Sequence, residues 1–212
     1  MAPTLPKMLL AHCNDQGLIE AGVDEAGRGC LAGDVYAAAV ILPPDYANAA
    51  LNDSKQLTAR QRYALRDEIE RDAVAWAVGT ASVEEIDRLN ILNAAILAMH
   101  RALDGLSRRP EFIIVDGNRF KPYGPIPAQT IVKGDGKYLA IAAASILAKT
   151  CRDDYMRRLD GQYPGYGWDR NAGYPTRAHR AAIGRLGPTP LHRMTFRLLP
   201  ETAATPAGER TD

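Results

Sequence analysis

Three groups of carboxylates each stand where an apolar segment gives way to glycine. They are Asp24 and Glu25 before the sequence AGRG, Asp116 before a glycine, and Asp135 between two glycines. Buried strands seldom end in acids without a compensating charge, because an uncompensated carboxylate is costly to desolvate. Hard oxygen ligands without histidine or cysteine favour Mg²⁺ or Mn²⁺ over Zn²⁺. The pattern therefore indicates a divalent-metal site.

Each acid taken alone has a simpler explanation as a loop or capping residue. Neighbouring residues of a strand point to opposite faces, so Asp24 and Glu25 can share a site only where the strand ends. We expect Ala26-Gly27 to supply that end. Other chemistries lack their spacing, because the chain has no GxxxxGK phosphate loop, no GxSxG nucleophile elbow and no HExxH pair.

Apolar runs bounded by turn residues predict five strands that would position these acids. They are expected at residues 18–25, 34–42, 73–82 and 111–117, with a short fifth strand inside the segment 125–136. Short links between the first three strands favour antiparallel pairing, and later helical crossovers favour parallel pairing. We therefore expect an α/β fold with a mixed five-stranded sheet flanked by helices.

Helices are predicted from capping signals and from apolar periodicity. They are expected at about 59–71 after Thr58, from Ser82 through about Leu106, across the alanine-rich segment 137–161, and after Thr176. A loop rich in tyrosine, glycine and proline (162–175) separates the last two. Residues 201–212 are expected to be a disordered tail.

Composition places the chain among ordinary globular proteins. Its 212 residues are 46% hydrophobic and 24% charged, and its three cysteines share no metal-ligand spacing. The longest uncharged apolar run, LAIAAASILA, is about half of what a membrane span needs. The apolar run near the N-terminus is too short for a secretory signal. We expect a cytoplasmic protein without a membrane partner.

Positive charge is concentrated near the C-terminal end, although the net charge is only +1. Six arginines and no acid lie between residues 170 and 200. This distribution favours a surface for polyanions. The alternative is a solvated helix face that pairs with acids elsewhere in the fold.

Six segments in order resemble the bacterial ribonuclease HII family, the type 2 ribonucleases H. They are GVDEAGRGCLAG, NDSKQLT, IIVDGNRF, VKGDGKYLAIAAASILAKTCRDD, NAGYPTRAH and GPTPLHRMTF, spread over residues 18–199. The resemblance implies a ribonuclease H-like catalytic domain (1–160) with a C-terminal basic helical extension (161–200). It implies hydrolysis of the RNA strand in RNA/DNA hybrids. It also implies incision 5′ to single ribonucleotides in duplex DNA, with 5′-phosphate and 3′-hydroxyl products.

The resemblance also assigns roles to individual residues. Asp24, Glu25, Asp116 and Asp135 match the catalytic carboxylates, which in this family hold two divalent cations, Mn²⁺ or Mg²⁺. The ions would activate the attacking water and stabilise the leaving 3′-oxygen. The residues implied to contact substrate, by reading the 2′-hydroxyl, packing on the sugar or contacting phosphate, are Gly27, Arg28, Gly29, Lys55 and Tyr174.

The chain departs from the family pattern at Cys30 and Asp34, where the family usually has proline. We expect Cys30 to act as a small apolar residue, and Asp34 either to alter metal affinity or to face solvent. Asp153 matches a recurrent acid of the family, but its spacing from Lys149 predicts an ion pair along one helix.

Two other functions are compatible with clustered acids and a basic end. One is another ribonuclease H-like nuclease, such as a Holliday-junction resolvase, and the other is a non-catalytic nucleic-acid-binding module. The Gly-Arg-Gly turn together with Tyr174 favours a reader of the 2′-hydroxyl over the first. The four acids argue against the second, because a binder gains nothing from negative charge beside phosphates. We expect a monomer.

Overall fold

Five strands form one mixed sheet in the computed structural model, which describes residues 9–51 and 57–200. The strands are β1 (Glu20–Ala26), β2 (Val35–Ile41), β3 (Ala75–Ala81), β4 (Phe112–Asp116) and β5 (Ala128–Ile131). Their order across the sheet is β3-β2-β1-β4-β5. β1 and β3 pair antiparallel with β2, whereas β4 pairs parallel with β1 and with β5. The predicted mixed sheet is confirmed.

Helices cover both faces of this sheet and form the C-terminal part of the molecule. They are α1 (Ala59–Asp72), α2 (Val83–Leu89), α3 (Ile91–Asp104), α4 (Leu139–Gln162), α5 (Trp168–Asn171) and α6 (Arg177–Leu186). A 3-10 turn, Gly134–Gly136, joins β5 to the segment before α4. None of the helices within residues 9–51 and 57–200 combines the length and apolar character that a membrane span requires.

Helices begin at the capping residues that the sequence predicts. One predicted helix is interrupted at a position that its apolar periodicity does not reveal. Thr58 and Ser82 each make a complete capping box, with Gln61 and Glu85 respectively. The single helix expected from Ser82 to about Leu106 is wrong, because Asn90 adopts a φ of +66° and divides it. The Asn90 side chain accepts a hydrogen bond from the amide of Asn93 and so begins α3. A further short helix, α5, lies in the expected loop 162–175.

Two glycines allow α3 and α4 to approach the sheet more closely than a side chain would permit. A Cβ at Gly22 of β1 would lie 2.2 Å from the carbonyl carbon of Ala140 in α4. A Cβ at Gly79 of β3 would lie 2.3 Å from the carbonyl oxygen of Ala98 in α3. Buried alanines on both helices continue these close contacts. The sheet is therefore sandwiched between two helical layers at very short range.

The C-terminal part shares a hydrophobic core with the rest of the chain. Leu31 and the α4 residue Met156 pack with Trp168 and Ile183 of the last two helices. α4 itself runs across residue 160, the expected boundary between catalytic domain and extension. That boundary remains a prediction.

We predict that Gly79→Ala lowers the free energy of unfolding by about 1–3 kcal/mol, because α3 must move away from β3. Urea denaturation followed by circular dichroism measures this loss. Gly161→Ala is the matched control, since a Cβ there meets nothing within 4 Å. Alanine at that helical position should leave stability unchanged or raise it by up to about 1 kcal/mol. Equal stability of Gly79→Ala and wild type would show that the α3 contact is not tight.

Candidate active site

Acidic residues at the carboxyl ends of β1 and β4 share one cleft. The last parallel pair between these strands is Val23 with Val115, so Asp24 and Asp116 follow next to one another. The cleft has a volume of about 240 Å³ and is lined by Asp24, Glu25 and Asp116. The structure therefore brings together three of the four predicted carboxylates.

β1 ends at Ala26, as expected, although its two neighbouring strands pair with it over different lengths. Pairing with β4 stops at Val23, but pairing with β2 continues through Glu25 to Ala26. Both Asp24 and Glu25 nevertheless line the cleft. Beyond Val23 the hydrogen-bond ladder between β1 and β4 has ended. β4 therefore does not close the space beside Asp24 and Glu25.

Burial and mutual repulsion disfavour the charged forms of the two β1 acids. Asp24 is 4% exposed, and burial together with the charges of Glu25 and Asp116 raises its pKa well above the usual value. Burial also raises the pKa of Glu25, although Arg28 opposes this shift through an ion pair of 3.0 Å. The amide of Glu25 and the hydroxyl of Ser145 donate hydrogen bonds to the Asp24 carboxylate. A cation in the cleft would relieve the remaining repulsion.

Asp116 and Asp135 are connected through the 3-10 turn. The amide of Gly134 donates to Oδ1 of Asp116 over 2.7 Å, which orients that carboxylate. Asp135, the next residue, is 4% exposed and is not among the residues lining the cleft. Asp135 thus directly follows Gly134, whose amide contacts Asp116. The role of Asp135 as a metal ligand remains a prediction.

The donor set fits Mg²⁺ or Mn²⁺ in chemical type. The acidic side chains that line the cleft are carboxylates, whose oxygens these hard ions prefer, and the lining residues that the structure describes include no histidine or cysteine. Within residues 9–51 and 57–200, no three acidic, histidine or cysteine side chains converge as a ready ligand shell. Such ions are commonly held by one or two carboxylates, with water and substrate phosphates completing the shell. A partial protein shell is therefore compatible with ions that bind together with an anionic substrate.

The three residues of the Gly-Arg-Gly turn line the cleft, but its glycines have different surroundings. Gly27 has a φ of +98°, and a Cβ there would lie 2.0 Å from Nε of Arg152. A Cβ at Gly29 would meet nothing within 4 Å. Glycine at 27 is therefore required by the protein's own packing, whereas position 29 is open toward the cleft.

Tyr174 also lines the cleft and is partly exposed. The residue is 38% exposed, and Nζ of Lys149 lies 5.8 Å from the ring centroid. Its carbonyl oxygen accepts a hydrogen bond from Nδ1 of His179, whose Nε2 in turn accepts from the indole of Trp168. The remaining predicted contact, Lys55, lies outside the described residues.

Three further polar residues line the cleft and were not predicted as site residues from the sequence. They are Arg62 of α1 and Ser145 and Lys149 of α4. Ser145 and Lys149 are four residues apart, so helical periodicity could have placed them on one face. No comparable signal identifies Arg62. The predicted ion pair between Lys149 and Asp153 is confirmed.

The two positions that depart from the family pattern are accommodated inside the fold. Cys30 is fully buried, and burial raises the pKa of its thiol, as expected for a small apolar residue. Asp34 is half-buried and accepts a hydrogen bond from the amide of Val83, the first residue of α2. The Asp34 carboxylate therefore does not simply face solvent, because it contacts the first turn of α2, and it is not among the cleft-lining residues. An effect of Asp34 on metal affinity remains a prediction.

The basic C-terminal segment does not form one uniform surface. Four of its arginines are exposed: Arg170, Arg177, Arg185 and Arg197. Arg180 bonds the carbonyls of Arg197 and Leu198, and Arg193 is fully buried. The expectation of six surface arginines is therefore wrong for Arg193.

Comparison with known proteins agrees with this architecture. The family model described as Ribonuclease HII matches residues 21–199. Ribonuclease HII of Bacteroides fragilis (strain YCH46) is 68% identical over 192 residues, which are 91% of this chain and 95% of that protein. Ribonuclease HII of Porphyromonas gingivalis (strain ATCC BAA-308 / W83) is 58% identical over 190 residues, covering 90% and 94% of the two chains.

Solved structures show the same fold. Ribonuclease H2 of Pyrococcus horikoshii OT3 matches with a TM-score of 0.71 and 26% identity over 84% of this chain and 94% of that one. RNase HII in the PCNA complex from Archaeoglobus fulgidus matches with a TM-score of 0.72 and 26% identity, over 88% and 98%. Bst-RNase HIII in complex with Mn²⁺ shares only the fold, with a TM-score of 0.62 and 18% identity over 85% and 68%.

The family model spans most of the chain, and both curated relatives align over nine-tenths of it or more. The sheet order, the acidic cleft and the helical C-terminal part are all present in one molecule. The chain therefore belongs to the ribonuclease HII family and is a metal-dependent endoribonuclease with a ribonuclease H-like fold.

Proposed function

We propose that this endoribonuclease hydrolyses the RNA strand of RNA/DNA hybrids and also incises duplex DNA on the 5′ side of a single embedded ribonucleotide. The products would carry 5′-phosphate and 3′-hydroxyl ends. The main support is that one cleft combines the carboxylates Asp24, Glu25 and Asp116 with the Gly-Arg-Gly turn and Tyr174. In the proposed function, the acids would serve phosphodiester hydrolysis, and the adjacent turn and tyrosine would contact a sugar that has a 2′-hydroxyl.

Two divalent cations, Mn²⁺ or Mg²⁺, would be held by Asp24, Glu25, Asp116 and Asp135. Bound there, they would supply an activated water and stabilise charge on the leaving oxygen. The protein's contribution is to orient the carboxylates. Backbone amides hold one oxygen of Asp24 and one of Asp116, and the Ser145 hydroxyl also donates to Asp24.

Recognition of the ribonucleotide is assigned to the turn and to Tyr174. The open position at Gly29 lets the backbone approach a 2′-hydroxyl closely, which a side chain would prevent. Tyr174 presents an exposed ring on which the sugar next to the scissile bond could pack. Arg28, half exposed and paired with Glu25, joins the recognition turn to the metal-binding acids.

Phosphate contacts would position the duplex without reading its sequence. Lys149 and Arg62 line the cleft itself, and the exposed arginines of α6, Arg177 and Arg185, extend positive charge beyond it. Lys55 keeps this role as a prediction from the family resemblance. We also expect the enzyme to act in the cytoplasm as a monomer.

The direct test uses duplex DNA that contains one ribonucleotide, incubated with the protein and Mg²⁺ or Mn²⁺. We expect one metal-dependent cut on the 5′ side of the ribonucleotide, resolved on a denaturing gel with end-group analysis of the products. All-DNA duplex is the negative control, and a long RNA/DNA hybrid is the positive control. Cleavage of the hybrid alone would leave the hydrolytic site intact but contradict recognition of a single ribonucleotide.

We predict that Asp116→Asn lowers turnover by several orders of magnitude while hybrid binding is retained. Mn²⁺ should raise the melting temperature of the wild-type protein, since a ligand at about 100 times its dissociation constant stabilises by about 2.7 kcal/mol. The variant should lose most of that increase. Asp72→Asn, at an exposed carboxylate far from the cleft that pairs with Arg71, is the control. Normal turnover and a normal metal response would remove Asp116 from the metal site.

We predict that Gly29→Ala keeps wild-type stability, within about 0.5 kcal/mol, but lowers kcat/KM on the embedded ribonucleotide by about 100-fold. The added methyl has room in the free protein. It would displace the substrate sugar by roughly the radius of a methyl group. Gly27→Ala should instead lower the melting temperature, because its φ and its contact with Arg152 both exclude a side chain. Full activity of Gly29→Ala would mean that the turn does not approach the sugar.

A further inference from the structure

Two buried arginines lie directly behind the Gly-Arg-Gly turn. Arg152 of α4 is 1% exposed, and Arg193 of the C-terminal segment is fully buried. Among residues 9–51 and 57–200, neither guanidinium is paired with a carboxylate. Within the described part of the chain, their side chains donate hydrogen bonds to backbone carbonyl oxygens.

Arg152 joins two separate loops. It donates from Nε to the carbonyl of Asp34 over 3.0 Å and from Nη2 to that of Ala32 over 3.0 Å. Its third donor, Nη1, bonds the carbonyl of Ala172 over 2.8 Å. The segment after the Gly-Arg-Gly turn is thus bridged to the loop that leads to Tyr174.

Arg193 holds the turn itself. Its Nη1 donates to the carbonyl of Arg28 over 3.0 Å, and its Nε and Nη2 both donate to the carbonyl of Gly33, over 3.0 and 2.8 Å. The backbone amide of Arg193 also donates to the carbonyl of Leu31. One residue near the C-terminal end therefore contacts three positions between residues 28 and 33.

A direct backbone contact completes the connection between the two loops. The amide of Leu31 donates to the carbonyl of Gly173 over 2.8 Å. Gly173 has a φ of +77°, and a Cβ there would lie 2.6 Å from the carbonyl oxygen of Ala32. Tyr174 is the next residue, so its backbone position depends on the position of the segment 31–32.

Simple core filling does not explain two arginines at these positions. Burying a charge without a carboxylate partner is costly, and apolar residues of similar volume are often more stable. Burial and the nearby charge of Arg152 lower the pKa of Arg193 to about 10, so the Arg193 guanidinium stays charged at neutral pH. The planar guanidinium fork matches several carbonyls at once, which an aliphatic side chain does not.

We propose that Arg152 and Arg193 are positioning residues that hold the backbone of residues 27–34 and the loop 171–174 in one fixed arrangement for ribonucleotide recognition. This inference rests on the proposed function of the Gly-Arg-Gly turn and Tyr174. The two arginines act through those segments and do not themselves contact substrate. They convert two loops, which are about 140 residues apart in sequence, into one recognition surface.

The test compares Arg193→Met and Arg193→Lys with Arg101→Met as a matched control. Arg101 also donates to a backbone carbonyl, that of Thr80, and pairs with Glu85, but lies on α3 away from the cleft. Three quantities are measured well below the melting temperature of each variant. They are amide hydrogen exchange of residues 27–34 and 171–174, the kcat and KM for incision at one embedded ribonucleotide, and the melting temperature itself.

We expect Arg193→Met to raise exchange in both segments by at least about tenfold and to lower kcat/KM by about 100-fold, since small misplacement of a positioned group costs that much. Arg193→Lys retains charge but not the fork, so it should show the same two changes in the same direction. Arg101→Met should lower stability without either change. If Arg193→Met does not fold, Arg193→Lys is compared with Arg101→Met by the same three measurements, and that comparison tests the proposal.

Normal exchange in both segments in a folded Arg193 variant would overturn the proposal, whatever its activity. Raised exchange with unchanged kcat/KM would also overturn it, because the arrangement would then not matter for recognition. If the wild-type protein does not incise at an embedded ribonucleotide, the proposed function fails instead. The exchange comparison then still reports whether the arginines hold the two segments.

Discussion

The close approach of α4 to β1 at Gly22 is the constraint on which the site depends. A Cβ at this position would lie 2.2–2.5 Å from the backbone of Ala140 and Ile141, so only glycine lets the helix rest directly on the strand. The acids follow two residues later on β1, and Ser145, Lys149 and Arg152 lie farther along α4. The spacing between strand and helix thus sets how far the acids, Ser145 and Lys149 reach into the cleft, and where Arg152 lies behind the turn.

Stability and chemistry make opposite demands at the end of β1. Two apolar layers stabilise the sheet, whereas Asp24 and Glu25 are buried together beside Asp116 with raised pKa values. Such a cluster destabilises the folded state when it is ionised, and divalent cations would reverse that effect. Local conflicts of this kind are expected at functional sites, where binding compensates for the cost. In the neighbouring turn, different glycines serve stability and chemistry. Gly27 is required by packing against Arg152, whereas Gly29 leaves open space beside the backbone.

Local signals in the sequence predicted much of the framework. Capping boxes at Thr58 and Ser82 and short apolar runs depend on neighbouring residues alone, so the helix starts, the strands and their mixed pairing were predicted correctly. The division at Asn90 was missed because the apolar period continues across it, although asparagine there is itself a capping signal. The end of β1 at Ala26 was predicted correctly, whereas its start was placed two residues too early. The different lengths over which β2 and β4 pair with it depend on distant segments and were not predicted.

Sequence alone singled out Asp24, Glu25, Asp116 and the Gly-Arg-Gly turn, all of which line the cleft, because acids and glycines at strand ends form a pattern that is visible without the fold. Their arrangement required the tertiary structure. Arg193 was expected on a basic surface, yet it is buried against Gly33, 160 positions away, and Asp34 caps a helix that begins at Val83. The charge of a side chain is a property of its residue type, but its burial and partners depend on which distant segments pack around it. The sequence therefore determined which groups could perform the chemistry, and long-range packing determined which of them face the cleft and which support it from behind.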